Sequence, residues 1–195
     1  MSIWFLISFL GLLLIIPIYF LSVEHNKLDE RFGKEKGYRV GAALGMASGW
    51  GFFIFLIGLW ISPQERFSLQ VPDINLFGVP LFHLLFAVLF LLPGAWFGIK
   101  GVIEVGLETA ETHRAERVVS TGVYSKVRHP QYLGSILSHV GVTFLFSAYY
   151  SLLVTPIVIL VHYIFCWKEE QELIKEFGDA YLEYRTKVPM LLPRR

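Results

Sequence analysis

Charge is what this chain has least of. Only 17% of its 195 residues are Asp, Glu, Lys or Arg, against roughly 25% in a soluble domain. From His129 to Trp167 there is none in 39 consecutive residues. Cysteine is nearly absent as well. Cys166 stands alone in an apolar run, which excludes an intrachain disulfide and a cysteine-based metal cluster. No basic segment or small-residue cleavage pattern accompanies the apolar N-terminal stretch, so a retained membrane helix is expected there rather than a secretory signal. A net charge of +1 gives no reason to expect a nucleic-acid partner.

What is abundant is apolar: 54% hydrophobic and 16% aromatic residues. A helix needs about 20 mostly apolar residues to cross a bilayer. Residues 3–23, 40–62 and 78–99 each meet that length. Gly41, Ala42, Gly45, Ser48 and Gly49 in the second run suit close helix packing. The charge-free run would measure roughly 58 Å as one helix, about twice the hydrocarbon thickness. It is therefore expected to fold into a helical hairpin, residues 132–148 and 152–167, with a turn at 149–151. The expected fold is all-α: one polytopic membrane domain over residues 1–195 with five transmembrane helices. Three lie in residues 1–100. A catalytic region over 101–195 holds the hairpin and a cytosolic helical tail. With five spans, 16 of the 17 Lys and Arg residues fall on one side and Arg66 alone on the other. The excess of basic residues in cytoplasmic loops then places the N-terminus outside and the C-terminus in the cytoplasm.

Two polar clusters flank the hairpin. The first is Gly122-Val-Tyr124-Ser-Lys-Val-Arg128-His129-Pro130-Gln-Tyr132-Leu-Gly134. Pro130 biases His129 away from helix and opens the next one, so Arg128 and His129 sit on irregular backbone at the membrane surface. The second is Lys168-Glu169-Glu170-Gln-Glu172-Leu173, followed by Phe177-Gly178-Asp179-Ala-Tyr181 and, beyond Leu182 and Glu183, Tyr184-Arg185. Gly178 suits a helix end and Asp179 a cap for the next helix. Tyr181 and Arg185, four apart, share a helix face suited to stacking. Antiparallel helices bring residues 130 and 168 to the same end, so the two clusters are expected to meet. The plainer alternatives are interfacial anchoring for the first cluster and a solvated charged helix for the second. Glu104, Glu108 and Glu111 read as a solvated helix extension. His83, His139 and His162 lie at membrane depth, where ionisable residues are functional candidates; His139 and His162 facing each other would suit haem or quinone.

Across residues 110–193 these motifs resemble the isoprenylcysteine carboxyl methyltransferase family and its phospholipid methyltransferase relatives. The resemblance implies S-adenosylmethionine as cofactor and S-adenosylhomocysteine as product. It implies a pocket formed by His113, Val119, Gly122, Tyr124, His129, Pro130, Tyr132 and Gly134, closed by Glu169, Leu173 and Tyr181. Arg128 is then the expected clamp for a carboxylate acceptor, because a guanidinium pairs with it bidentately; Glu170 would orient that arginine or bind a cofactor hydroxyl, with Glu169 second to it for the same work. No metal is expected. The acceptor would be a lipophilic or lipid-modified molecule entering from the membrane. No glycine-rich Rossmann fingerprint follows a strand, which excludes the soluble methyltransferase fold. Rival readings are an NADPH-dependent sterol or enone reductase, and a non-enzymatic haem or quinone protein.

Overall fold

The structure, a computed structural model, describes residues 1–69, 74–115 and 117–193. Arg194 and Arg195, counted above among the basic residues expected on one side, lie outside the described residues, as do residues 70–73 and 116. The helices are α1 (Ile3–Val23), α2 (His25–Phe32), α3 (Lys34–Ile61), α4 (Leu81–Val105), α5 (Leu107–Thr112), α6 (Pro130–Leu145), α7 (Tyr149–Phe177) and α8 (Asp179–Lys187), with a 3₁₀ turn at Gly122–Ser125. A two-stranded ribbon, β1 (Asn75–Leu76) and β2 (Val79–Pro80), precedes α4. Among the described residues, α1, α3, α4 and α7 are long and apolar enough to cross a membrane. α6 has 16 residues, roughly 24 Å of helix.

Element boundaries moved where backbone conformation overrode hydropathy. Gly33, at φ 79°, separates α2 from α3. α3 therefore starts at Lys34 rather than Val40, extending the helix through charged residues. Phe77 and Gly78 both have positive φ, 55° and 77°, the conformation a two-residue hairpin turn requires. That turn delays α4 to Leu81. The α6–α7 turn falls at 146–148, not at 149–151: Ser147 takes φ 50° and the Ala148 N–H donates to the Thr143 carbonyl at 2.9 Å. α7 then continues through Trp167 to Phe177, so both glutamates of the second cluster ride on one continuous helix.

α4 and α6 pack antiparallel along a seam of small residues. A Cβ at Gly134 would stand 2.5 Å from the Gly98 nitrogen and 2.7 Å from the Gly94 carbonyl oxygen. One at Gly141 would meet Leu91 at 2.7 Å, and one at Gly101 would meet Gln131 at 2.8 Å. Backbones this close maximise dispersion contact, the force that holds helices together where lipid is as apolar as protein. α1 and α3 pack antiparallel in the same manner, with Gly11 beneath Phe55 and Gly51 beneath Ile15. A core of Phe5, Leu12, Tyr19, Leu56, Val161 and Phe165 joins α1, α3 and α7.

The buried histidines are absorbed by this packing. His139 accepts from the Trp60 indole N–H at 3.1 Å and pairs with Thr155 at 3.2 Å. His162 donates to the Val158 carbonyl at 2.7 Å and pairs with Ser135 at 2.9 Å. His83 accepts from the Leu69 N–H at 3.1 Å and pairs with Ser147 at 2.7 Å. Each ring has one nitrogen donating and one accepting, the pattern of a neutral imidazole. These contacts also fix α6 and α7 as antiparallel neighbours, residue 135 beside 162 and 139 beside 155.

Gly134→Ala should destabilise the protein by about 1–3 kcal/mol, because its neighbours are helix backbone that cannot yield. Gly49→Ala, where nothing lies within 4 Å, should leave stability unchanged or raised. Thermal unfolding of both variants in detergent checks this.

Candidate active site

Lys168, Glu169 and Glu170 are consecutive on α7 and so point about 100° apart. Each finds a different partner. Lys168 donates to Glu24 at 2.6 Å and to Glu172 at 2.9 Å, tying α7 to the end of α1. Burial works against the Glu24 carboxylate, but Lys168 and Lys27 outweigh it and hold its pKa below the usual value. Glu170, 1% exposed, accepts from the Arg128 Nε at 2.7 Å and contacts the His129 Nε2 at 3.2 Å. Its other oxygen lies 3.3 Å from the Arg185 Nε. Glu169 faces a chamber. Its Oε2 accepts from the Tyr19 hydroxyl at 3.3 Å and lies 3.6 Å from the His129 Nδ1.

The Arg-His segment is held on both sides. Pro130 occupies the first turn of α6, and His129 takes φ −125°, ψ 67° ahead of it. Because the segment is extended, its N–H groups are free for partners outside the helix. Arg128 N–H donates to the Pro189 carbonyl at 2.9 Å and His129 N–H to that of Met190 at 3.2 Å. The Arg128 guanidinium also donates to the carbonyls of Arg185, at 3.1 Å, and Val188. These are the terminal carbonyls of α8, which the helix itself leaves without partners. Burial disfavours the His129 imidazolium, but Glu169 and Glu170 outweigh it and raise its pKa. Burial lowers the pKa of His113. It also raises those of Tyr124, Tyr181 and Tyr184, keeping the phenols protonated.

The chamber lies between α5, the 3₁₀ turn, the start of α6, the end of α7 and α8, and measures about 70 Å³. Of the residues proposed from sequence, His113, Val119, Tyr124, Arg128, His129, Tyr132, Glu169, Leu173 and Tyr181 line it. Gly122, Pro130, Gly134 and Glu170 do not. Gly122 sits over the Glu104 carboxylate, which accepts from the Val123 N–H at 2.8 Å. Glu104 is thus the anchor of that turn rather than part of a solvated extension. Pro130 packs beside Gly101, and Gly134 against Gly94 and Gly98, both in the α4–α6 seam. Asp179 is the first residue of α8 and makes no side-chain cap. Arg185 reaches Glu170 rather than stacking on Tyr181.

Sequence reasoning missed Tyr19, Arg117, Gln131 and Tyr184. Arg117, Gln131 and Tyr184 line the chamber; Tyr184 was quoted in its motif and given no role. His113 Nδ1 is buried there without a hydrogen-bond partner. A larger apolar groove of about 620 Å³ runs between α3, α4 and α6. Trp50, Phe53, Ile99 and Ile103 line it with exposed side chains. It shares Gln131 and Ala110 with the chamber. Among the described residues, no group of three or more His, Cys, Asp or Glu is placed to hold a metal ion.

With this geometry in view, the phospholipid methyltransferase family profile matches residues 82–180. The chain is 28% identical over 117 residues to the protein-S-isoprenylcysteine O-methyltransferase of Schizosaccharomyces pombe, covering 53% of this chain and 47% of that protein. It is 40% identical over 73 residues to methanethiol S-methyltransferase 2 of Bradyrhizobium diazoefficiens, covering 37% and 27%. Over 90 residues it is 32% identical to the mouse Delta(14)-sterol reductase, covering 43% and 21%. The chain thus spans about half or less of the length of these relatives. No solved structure matches it.

Two outcomes follow from the buried ion cluster. Glu170→Ala leaves the Arg128 guanidinium buried without its counter-charge and should cost about 3–5 kcal/mol, read as lost thermal stability; Glu170→Gln should cost less. The His129 pKa is raised in the fold, so its contribution is complete below about pH 6.5 and lost as pH rises through the folded value. The groups facing it are Glu169, Glu170, Arg128, Tyr132 and, through Glu170, Arg185. Melting temperature should therefore fall more steeply above about pH 6.5 in the wild type than in His129→Gln.

Proposed function

The chain belongs to the phospholipid methyltransferase family, and we propose that it is an integral membrane S-adenosylmethionine-dependent methyltransferase acting on a lipophilic or amphiphilic acceptor, a prenylcysteine-type carboxylate first among them. The observation that carries this reading is the chamber where the Arg128-His129 segment meets Glu169, with an apolar groove adjoining it at Gln131 and Ala110. A polar cofactor and a lipid-borne acceptor thereby have separate approaches to one point.

The lining fits such a cofactor chemically. Glu169 offers a carboxylate to hydroxyl or ammonium donors. His113 Nδ1 is a buried polar atom without a partner, and tyrosine faces suit a sulfonium. The chamber is smaller than the roughly 300–1,000 Å³ of ligand pockets, so the α5 wall must withdraw on binding. Gly106 and His113, with φ of 91° and 57°, bound that wall. The cofactor supplies an activated methyl group for in-line displacement. An ionised carboxylate acceptor needs no strong base, so this chain's residues contribute positioning and exclusion of water.

Arg128 takes a different part in this scheme from that expected of a clamp. Its Nε and Nη1 donors are committed to Glu170 and to the end of α8, so it organises the chamber wall. Arg117, exposed on the same wall and without an ion pair among the described residues, is the cation positioned to meet an acceptor carboxylate. In the bilayer we place α6 as a fifth crossing, with the N-terminus outside and the chamber in the cytosolic interface, because the basic residues gather at that end.

Calorimetric titration of the purified protein with S-adenosylhomocysteine should give micromolar binding. Binding of NADPH without S-adenosylhomocysteine would overturn the assignment in favour of the reductase reading, which the likeness to a sterol reductase keeps as the alternative. Arg117→Ala should raise KM for a prenylcysteine carboxylate about tenfold, the size of one charge-assisted contact, with little change in cofactor affinity.

A further inference from the structure

The site's one contribution from α1 is Tyr19, which lies outside the region that matches the family. Its ring is 2% exposed. It stacks on Phe165 at 4.2 Å and meets the edge of His113 at 4.8 Å. The hydroxyl stands 2.7 Å from that of Tyr132 and donates to Glu169 Oε2 at 3.3 Å. A phenol has one proton. With the Tyr19 proton on Glu169, the bond between the phenols uses the proton of Tyr132, and the order is Tyr132 to Tyr19 to Glu169. The end of α1 is fixed independently: Ser22 caps the Tyr19 carbonyl at 2.7 Å and Glu24 pairs with Lys168 at 2.6 Å. Just beyond, the His25 ring bonds the His113 carbonyl at 2.9 Å.

We propose that Tyr19 is a positioning residue for the Glu169 carboxylate, an inference that rests on the methyltransferase reading above. Tyr19 does not line the chamber; Glu169 and Tyr132 do. Glu169 is a partly exposed carboxylate on a flexible stem, with His129 3.6 Å away on its other side. A rigid, packed phenol holds it at the chamber wall at little entropic cost. The Tyr132 hydroxyl is turned toward Tyr19 by the same contact. The first membrane helix thereby shapes the cofactor pocket through a hydrogen bond, not only through packing.

The experiment is a double-mutant cycle in the whole chain: wild type, Tyr19→Phe, Glu169→Ala and the double variant. Each is titrated with S-adenosylhomocysteine and melted thermally. Tyr19→Phe keeps the ring and its stacking, so its melting temperature should stay close to wild type. Its affinity should fall about tenfold, and the substitution should cause no further loss in the Glu169→Ala background. Affinity within twofold of wild type, or an equal loss in both backgrounds, would overturn the proposal; the latter is also what general destabilisation would give. If the wild type does not bind S-adenosylhomocysteine, the methyltransferase reading falls and this inference with it. If the wild type binds and the cycle is additive, only this inference falls.

Discussion

The Glu170 carboxylate, enclosed by Arg128, His129 and Arg185, is the interaction on which the chamber end of the molecule depends. A carboxylate removed from water is costly unless its charge is compensated and its lone pairs are occupied. Here three cationic or protonatable groups from two segments do so. Because those groups come from the residues before α6 and from α8, while Glu170 itself rides on α7, satisfying one charge fixes three elements relative to one another. The C-terminal segment adds its own constraint, since the carbonyls after α8 accept from Arg128 and from the backbone of 128–129.

Adjacent glutamates acquire different work from helix geometry alone. Glu170 turns inward and becomes part of the structure, whereas Glu169, about 100° away, stays at the chamber with only lighter support from Tyr19 and His129. The same separation of roles appears in the membrane. Small residues let α4 and α6 approach until their backbones touch, while glycines on α3 and large exposed aromatics leave a groove beside them. Close packing in one seam and its absence in the next produce an apolar path that ends at Gln131.

Much of this was legible from the sequence. The apolar run 3–23 coincides with α1, because hydropathy and helix length measure the same requirement. The neighbourhood of Arg128-His129 and Glu169-Glu170 followed from reversing the chain within a charge-free run. Where backbone torsion decides, hydropathy is silent: the positive φ of Gly33, Phe77 and Ser147 set the starts of α3, α4 and α7. The role of Glu104 was hidden because its partner is a backbone N–H 19 residues away. Tyr19 was hidden as well, since nothing in its surroundings in sequence shows that α1 lies beside α7.

The sequence by itself determined that the chain is a helical membrane protein and which two polar clusters share one end of it, because hydrophobic length and chain reversal are local properties written in residue order. Only the tertiary structure decided which glutamate is buried and which faces the chamber, that Arg128 is committed to the end of α8, and that the first helix reaches the site. Those outcomes depend on the rotation of each helix about its axis and on which charges lose their water, and both are set by all the packed elements together.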